Sequence, residues 1–199
     1  MLNYVFLAVI LIFAISSAYF YFSGKNRAGL NSAFLVSFIT LISYVLMLQG
    51  SLTVVTQAGE SIYWTRWLFY ALSCTLLIVE IAQLKQIRGG QLVQLVYLTA
   101  IVMFAGFLAA RDLTAIKWVY FAISSVSYVL LLIQVFSVKT PESKWTSSYI
   151  FFGWTVFPIV FLLAPTGLGL IGAAVANLIY LVLDLYTKIA FNIQLRSAS

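Results

Sequence analysis

Apolar residues run along the chain in seven long blocks, separated by short connections rich in polar residues or glycine. The blocks are 3–22, 32–51, 63–84, 92–110, 116–136, 146–164 and 168–195. Each is near the ~20 residues an α-helix needs to cross a bilayer core. The pattern predicts an all-α membrane protein, a single seven-helix transmembrane domain over residues 1–199 with no separate soluble unit. The first block reads as a retained span, since it lacks a basic leader and is too long for a signal-peptide core. Ser23-Gly24-Lys25-Asn26, Arg88-Gly89-Gly90 and Lys139-Thr140-Pro141-Glu142 are the expected turns. The longest polar connection, 51–62, carries the alternating Leu52-Thr53-Val54-Val55-Thr56, which predicts a small hairpin. Gly167-Leu168-Gly169-Leu170-Ile171-Gly172 fits the letter of a dinucleotide fingerprint. With no strand before it, these glycines are better read as loosening the last connection and letting the seventh helix pack closely.

Composition narrows the function. The chain is 63% hydrophobic and only 8% charged, against ~25% charged in soluble domains. One cysteine, Cys74, and no histidine exclude an internal disulfide, Cys/His metal or haem ligation, and histidine-dependent triads. No metal site and no enzymatic activity are expected. With seven spans, one set of loops carries Lys25, Arg27, Lys85, Arg88, Lys139, Lys144 and Arg196, and the other only Arg111, Lys117 and the helix-edge Arg66. The positive-inside rule then places the N-terminus outside and the C-terminus in the cytoplasm of a multi-pass protein of the cell membrane. The net charge of +6 is this loop asymmetry, not a nucleic-acid patch.

Of five acids, Glu60, Asp112 and Glu142 fall in connections and read as solvated charges. Glu80, Asp184, Lys188 and Arg66 lie within spans, where ionisable groups are costly and mark function. Lys188 is a lone amine in the apolar seventh block, with Asp184 one turn before it on the same face. Two readings fit the pair: a structural ion pair in a bundle, or an amine that condenses with an aldehyde beside its counterion. Asn192 follows one turn later. Glu80 lies 14 residues beyond Arg66, ~21 Å along a helix, and reads either as an interfacial carboxylate or as a functional acid. Arg66, between Trp64 and Trp67, reads as an interfacial anchor or as part of the charge system. Trp154, Phe157 and Phe161 share one helix face and read as bundle core or as the wall of a cofactor box.

The seventh block, Leu183-Asp184-Leu185-Tyr186-Thr187-Lys188, resembles the Asp-x-x-x-Lys retinal-binding helix of microbial rhodopsins. Trp154-Thr155-Val156-Phe157-Pro158-Ile159-Val160-Phe161 is similar to that family's retinal wall, with Phe in place of a Tyr and a second Trp. Tyr44 to Gly50 resembles the segment whose tyrosine bonds the counterion, and Phe121-Ala122-Ile123-Ser124 the stretch flanking the retinal ring. On the third block, the positions that read Asp, Thr, Asp in outward proton pumps read Phe69, Ser73 and Glu80, with Cys74 beside the serine. This Phe-Ser-Glu triad resembles the schizorhodopsins and Antarctic rhodopsins.

The resemblance implies a seven-helix bundle of the microbial rhodopsin type that moves protons inward under light. All-trans retinal is implied on Lys188 as a protonated Schiff base, with Asp184 as counterion supported by Arg66 and Tyr44. Phe69, Ser73, Cys74, Glu80 and Asn192 are implied in proton transfer, and Tyr70, Phe121, Ser124, Trp154, Phe157, Pro158 and Phe161 in the pocket. Phe157 removes one donor that the counterion usually has. Phe69 cannot accept a proton, and the resemblance implies that Glu80 accepts the proton or attracts it through water on the cytoplasmic side. The implied partners are the bilayer, the transported proton and two further copies of the chain in a trimer, with no nucleic acid. The alternatives are an outward pump using Glu80 as donor, a light sensor signalling to another protein, and a small solute transporter with a structural Lys–Asp pair.

Overall fold

A computed structural model describes residues 2–23, 32–56, 59–138 and 143–197. The elements are α1 (Leu2–Ser23), α2 (Ser32–Leu48), β1 (Thr53–Val55), β2 (Ser61–Tyr63), α3 (Thr65–Leu84), α4 (Gly90–Arg111), α5 (Lys117–Ser137), α6 (Ser143–Leu163) and α7 (Ala173–Asp184). A π-helical segment, Leu185–Ala190, joins α7 to α8 (Phe191–Ser197). Six stretches are long and apolar enough to cross a membrane, α7 through α8 counting as one; α2 is equally apolar but has 17 residues. That still spans ~25 Å. All seven expected blocks are therefore helical. Lys25, Arg27, Lys139 and Glu142, with most of the two connections that hold them, lie outside the described residues.

Helices adjacent in sequence pack side by side from α1 to α7, and α1 meets α7 to close the ring. Phe6, Val9, Phe13, Tyr44 and Met47 form one buried cluster, while α3 to α7 build the larger core around Leu77, Ile78, Leu131, Ile150 and Phe161. The outer surface is aliphatic and aromatic, as at Leu11, Ile15, Val126, Ile133 and Val182. Such a surface suits a hydrocarbon solvent.

Three helices fall short of their expected blocks by two residues or more, each because a turn displaces the helix end. The second helix stops at Leu48 rather than 51, as Gly50 enters the left-handed region at φ 69°. The third starts at Thr65 because Tyr63 pairs with Thr53 in the antiparallel hairpin, which forms where the alternation placed it. The seventh starts at Ala173 rather than 168. In the preceding turn Gly169 takes φ 68° and the Leu168 amide reaches back to the Leu162 carbonyl at 2.7 Å. Gly167 is required for close approach, since a Cβ there would lie 2.3 Å from the Leu162 carbonyl oxygen. Gly167→Ala is expected to cost ~1–3 kcal/mol as overpacking, read as a lower thermal midpoint; an unchanged midpoint would show that this turn yields freely.

Two loop charges have structural tasks. Glu60 is not a free solvated acid: Oε2 accepts the Ala173 N–H at 2.6 Å, tying the hairpin to the start of α7, where backbone donors lack partners and the helix dipole favours an anion. Lys85 is buried and donates to the Val135 and Val138 carbonyls at 2.9 and 3.1 Å. It caps the end of α5 from α3, as lysine does at carbonyl-rich helix ends, so it is not a loop cation. Asp112 is the local turn charge expected. Its Oδ1 accepts the Thr114 N–H and hydroxyl, each at 2.6 Å, and these bonds hold the carboxyl below its ordinary pKa.

Candidate functional site

The site forms where the seventh helix changes from α to π winding. One extra residue in the turn frees backbone carbonyls, and such bulges are frequent at functional sites. Here Tyr149 OH donates to the Thr187 carbonyl, and Asn192 Nδ2 donates to the Lys188 carbonyl at 2.7 Å. Asn192 thus anchors the backbone of the lysine. Gly153 on α6 permits this packing, since a Cβ there would meet the Thr187 methyl at 3.0 Å.

Across the junction the expected one-turn pairing survives. Lys188 Nζ lies 2.7 Å from Asp184 Oδ1, with the two side chains 1% and 0% exposed. The other carboxylate oxygen accepts Tyr44 OH at 2.7 Å and Tyr70 OH at 2.9 Å. The ammonium also sits 3.8 Å from the centre of the Tyr70 ring, a cation–π contact. Tyr70 therefore does more than line a pocket: it restores the donor lost at Phe157. Arg66, expected to support the carboxylate, does so only at one remove. Its Nη1 donates to Asn177 Oδ1 at 2.9 Å, and the guanidinium lies over the Tyr180 ring at 4.6 Å and 5.9 Å from that of Tyr44.

An apolar cavity of about 630 Å³ opens beside Lys188. Tyr70, Phe121, Ser124, Trp154, Phe157, Pro158 and Phe161 all line it, as does Cys74. Phe121 stacks on Phe161 with centroids 5.0 Å apart, and Tyr70 meets Phe157 edge-on at 5.3 Å. Pro158 interrupts α6 here, leaving the helical bond to the residue four before it unmade. Ser124 turns its hydroxyl to the Val102 carbonyl at 2.8 Å, so it presents little polarity to the cavity. The remaining residues singled out by sequence lie apart. Phe69 is half-buried, and Ser73 spends its hydroxyl on the Phe69 carbonyl at 3.1 Å. Glu80 lies near the other end of α3, where the Ser32 hydroxyl donates to its carboxylate.

A family model described as bacteriorhodopsin-like protein matches residues 1–198. The chain belongs to the bacteriorhodopsin-like family. Among relatives of this rhodopsin, bacteriorhodopsin of Halobacterium salinarum is 27% identical over 174 residues, covering 80% of this chain and 66% of its own. Archaerhodopsin-3 of Halorubrum sodomense is 29% identical, covering 82% and 69%, and sensory rhodopsin-2 of Haloarcula vallismortis is 25% identical, covering 78% and 70%. The chain thus spans about two thirds of the length of these relatives. The crystal structure of schizorhodopsin 4 superimposes with TM-score 0.90 at 38% identity, covering 98% of both chains. A thermophilic rhodopsin from Rubrobacter xylanophilus shares the fold, with TM-score 0.88 at 22% identity over 99% of this chain and 95% of its own.

The rhodopsin is a multi-pass membrane protein, and its family implies a retinal chromophore. The residues present fit that group. A polyene needs a long apolar slot with one amine in its wall, and the cavity supplies aromatic faces with Lys188 at its edge. Trp67, Tyr149, Asn177 and Tyr180 were not singled out by sequence reasoning. The signal for Trp67 was available: Trp67, Tyr70 and Cys74 repeat the i, i+3, i+7 spacing of Trp154, Phe157 and Phe161. Nothing in the sequence marked Tyr149, whose role depends on the π segment. Asp184→Asn is expected to move the visible band of the retinal-loaded rhodopsin to longer wavelength, or out of the visible, by removing the charge beside the Lys188 nitrogen. A spectrum identical to that of the parent would place the counterion elsewhere.

Proposed function

We propose that this rhodopsin is a light-driven proton pump working inward, with all-trans retinal on Lys188, its N-terminus outside and its C-terminus in the cytoplasm. It is read as a transporter, not an enzyme, and as a trimer in the bilayer. The observation that carries the direction is the placement of carboxylates around Lys188. Asp184 pairs with the amine, Phe69 stands where outward pumps have a second acceptor, and Glu80 lies at the far end of α3. The motif resemblance to schizorhodopsins and the 38% identity to schizorhodopsin 4 support the same reading.

When bound, the retinal supplies absorption of visible light and a change of shape that re-aims the Lys188 nitrogen. Asp184 holds the charge of that nitrogen before illumination. One of its oxygens faces the amine and the other accepts two phenol hydroxyls, which hold the carboxylate in place beside the nitrogen. Tyr149 and Asn192 hold the carbonyls on either side of the lysine linkage, fixing the direction from which the nitrogen departs. Glu80, with Ser32 on its carboxylate, accepts or attracts the proton on the cytoplasmic side. A fresh proton then returns from outside, past Asp184.

Illuminating cells that make the protein with retinal tests this. The medium is expected to become more alkaline, with a protonophore abolishing the change. Acidification would reverse the direction. The sensory relatives motivate one rival, a photoreceptor that moves no net charge, which a flat trace in energised, pigmented cells would favour.

A further inference from the structure

A wide gap separates Lys188 from Glu80. The ammonium sits over the Tyr70 ring, and Glu80 lies ten residues further along α3, ~15 Å on a helix. A proton passes between groups ~3 Å apart, so it needs a station on the way. Between Cys74 and Glu80, α3 supplies Leu77 and Ile78, apolar and fully buried. Its one polar side chain in that interval, Thr75, donates to the Ala71 carbonyl at 2.6 Å within the same helix.

Tyr149 enters this interval from α6. That helix starts at the end of the bundle where α3 finishes, and Tyr149 comes five residues before the cavity residue Trp154, ~7.5 Å nearer that end. Tyr149 is 4% exposed, and its ring is fixed by stacking on Phe191 with centroids 4.2 Å apart. Its oxygen interacts electrostatically with both the Cys74 thiol, in the cavity wall, and the Glu80 carboxylate. A phenol accepts as well as donates, so it can take one proton while releasing another. The bond it makes is also sensitive to the lysine: the hydroxyl donates to the Thr187 carbonyl, one peptide from Lys188. The Thr75 bond, internal to α3, is not. Beside Phe191, Asn192 contributes Oδ1, an acceptor with no partner among the described residues on a side chain 1% exposed. Buried polar atoms are rarely left unmade, and water accounts for many exceptions.

We propose that the Tyr149 hydroxyl relays the proton from the Lys188 nitrogen to Glu80, with water held by Asn192 Oδ1 bridging the remaining distance. The relay rests on the inward reading. In the dark the phenol proton faces the Thr187 carbonyl and the path is shut. Movement of the lysine loosens that bond. The nitrogen's proton then passes through water to the phenol oxygen as the phenol's own proton passes on to the Glu80 carboxylate. One N–H bond breaks, one O–H bond forms, and the phenol ends as it began. Tyr149→Phe keeps the ring on Phe191 and, since Tyr149 is not among the residues lining the cavity, is expected to leave the dark band in place. After a flash, loss of the proton from the Lys188 nitrogen, seen as a short-wavelength band, is expected to slow about tenfold or more, with pumping reduced in step. Time-resolved infrared spectra of the parent with ring-labelled tyrosine are expected to show a tyrosine C–O band shifting in that same step and missing from the variant. A hydroxyl that only holds the turn would keep its bond and give no such band. Proton loss at the parental rate in a folded variant, or no tyrosine band, would overturn the relay while leaving an alkalinising parent an inward pump. An acidified medium, with decay of the short-wavelength band slowed instead of its formation, would overturn the inward reading itself.

Discussion

Lys188→Ala is expected to give a folded, colourless protein that gains no visible band when all-trans retinal is added. Among the described residues, Lys188 is the one lysine beside the apolar cavity, with its Nζ against Asp184 and over Tyr70. Lys85 is committed to carbonyls at the end of α5, and Lys117 to the Gly167 carbonyl at 3.3 Å. No other amine among the described residues is positioned to substitute. The loss of colour is therefore expected to be complete. The variant leaves Asp184 buried without its cation, and breaking such a pair costs ~3–5 kcal/mol. Tyr44 and Tyr70 still donate to the carboxylate and limit the damage. Helical content by circular dichroism separates loss of the attachment point from loss of the fold, and Lys188→Met preserves the stem if alanine proves too disruptive. A retained visible band in either variant would end the assignment of retinal to Lys188.

Glu80→Gln is expected to cut light-driven alkalinisation by about tenfold or more, the lower range for removing a positioned proton acceptor, while leaving dark colour nearly unchanged. Glutamine keeps the shape and the contact with Ser32 but carries no charge and takes up no proton. Glu80 lies eleven residues beyond Phe69, ~16 Å along the helix, too far to tune the chromophore strongly. If light instead acidifies the medium and the variant slows only the later part of the cycle, Glu80 is a donor and the pump runs outward. Undiminished inward transport would show that protons leave by a route that bypasses Glu80.

Seven apolar blocks of spanning length determined the helical membrane architecture, because hydrocarbon tolerates few other ways of satisfying a backbone. Two further features depended only on local chain geometry. The alternation after Leu52 made the hairpin, and the spacing of four between Asp184 and Lys188 put amine and carboxylate within one turn. The absence of a carboxylate at Phe69 was equally plain. What tertiary structure alone decided is how each charged group is used. Glu60 and Lys85 read as loop charges, yet each caps a helix distant in sequence, because a helix end needs partners wherever the bundle brings them. Tyr70 became a second donor to Asp184 because α3 and α7 face each other, 114 residues apart. Arg66 turned to Asn177 rather than to the carboxylate. The π turn at Leu185–Ala190 left no mark in the residue pattern, since it depends on Tyr149 and Asn192 being close enough to take the carbonyls it frees. Periodicity reports which face of a helix is buried; only packing across helices decides which buried donor meets which acceptor.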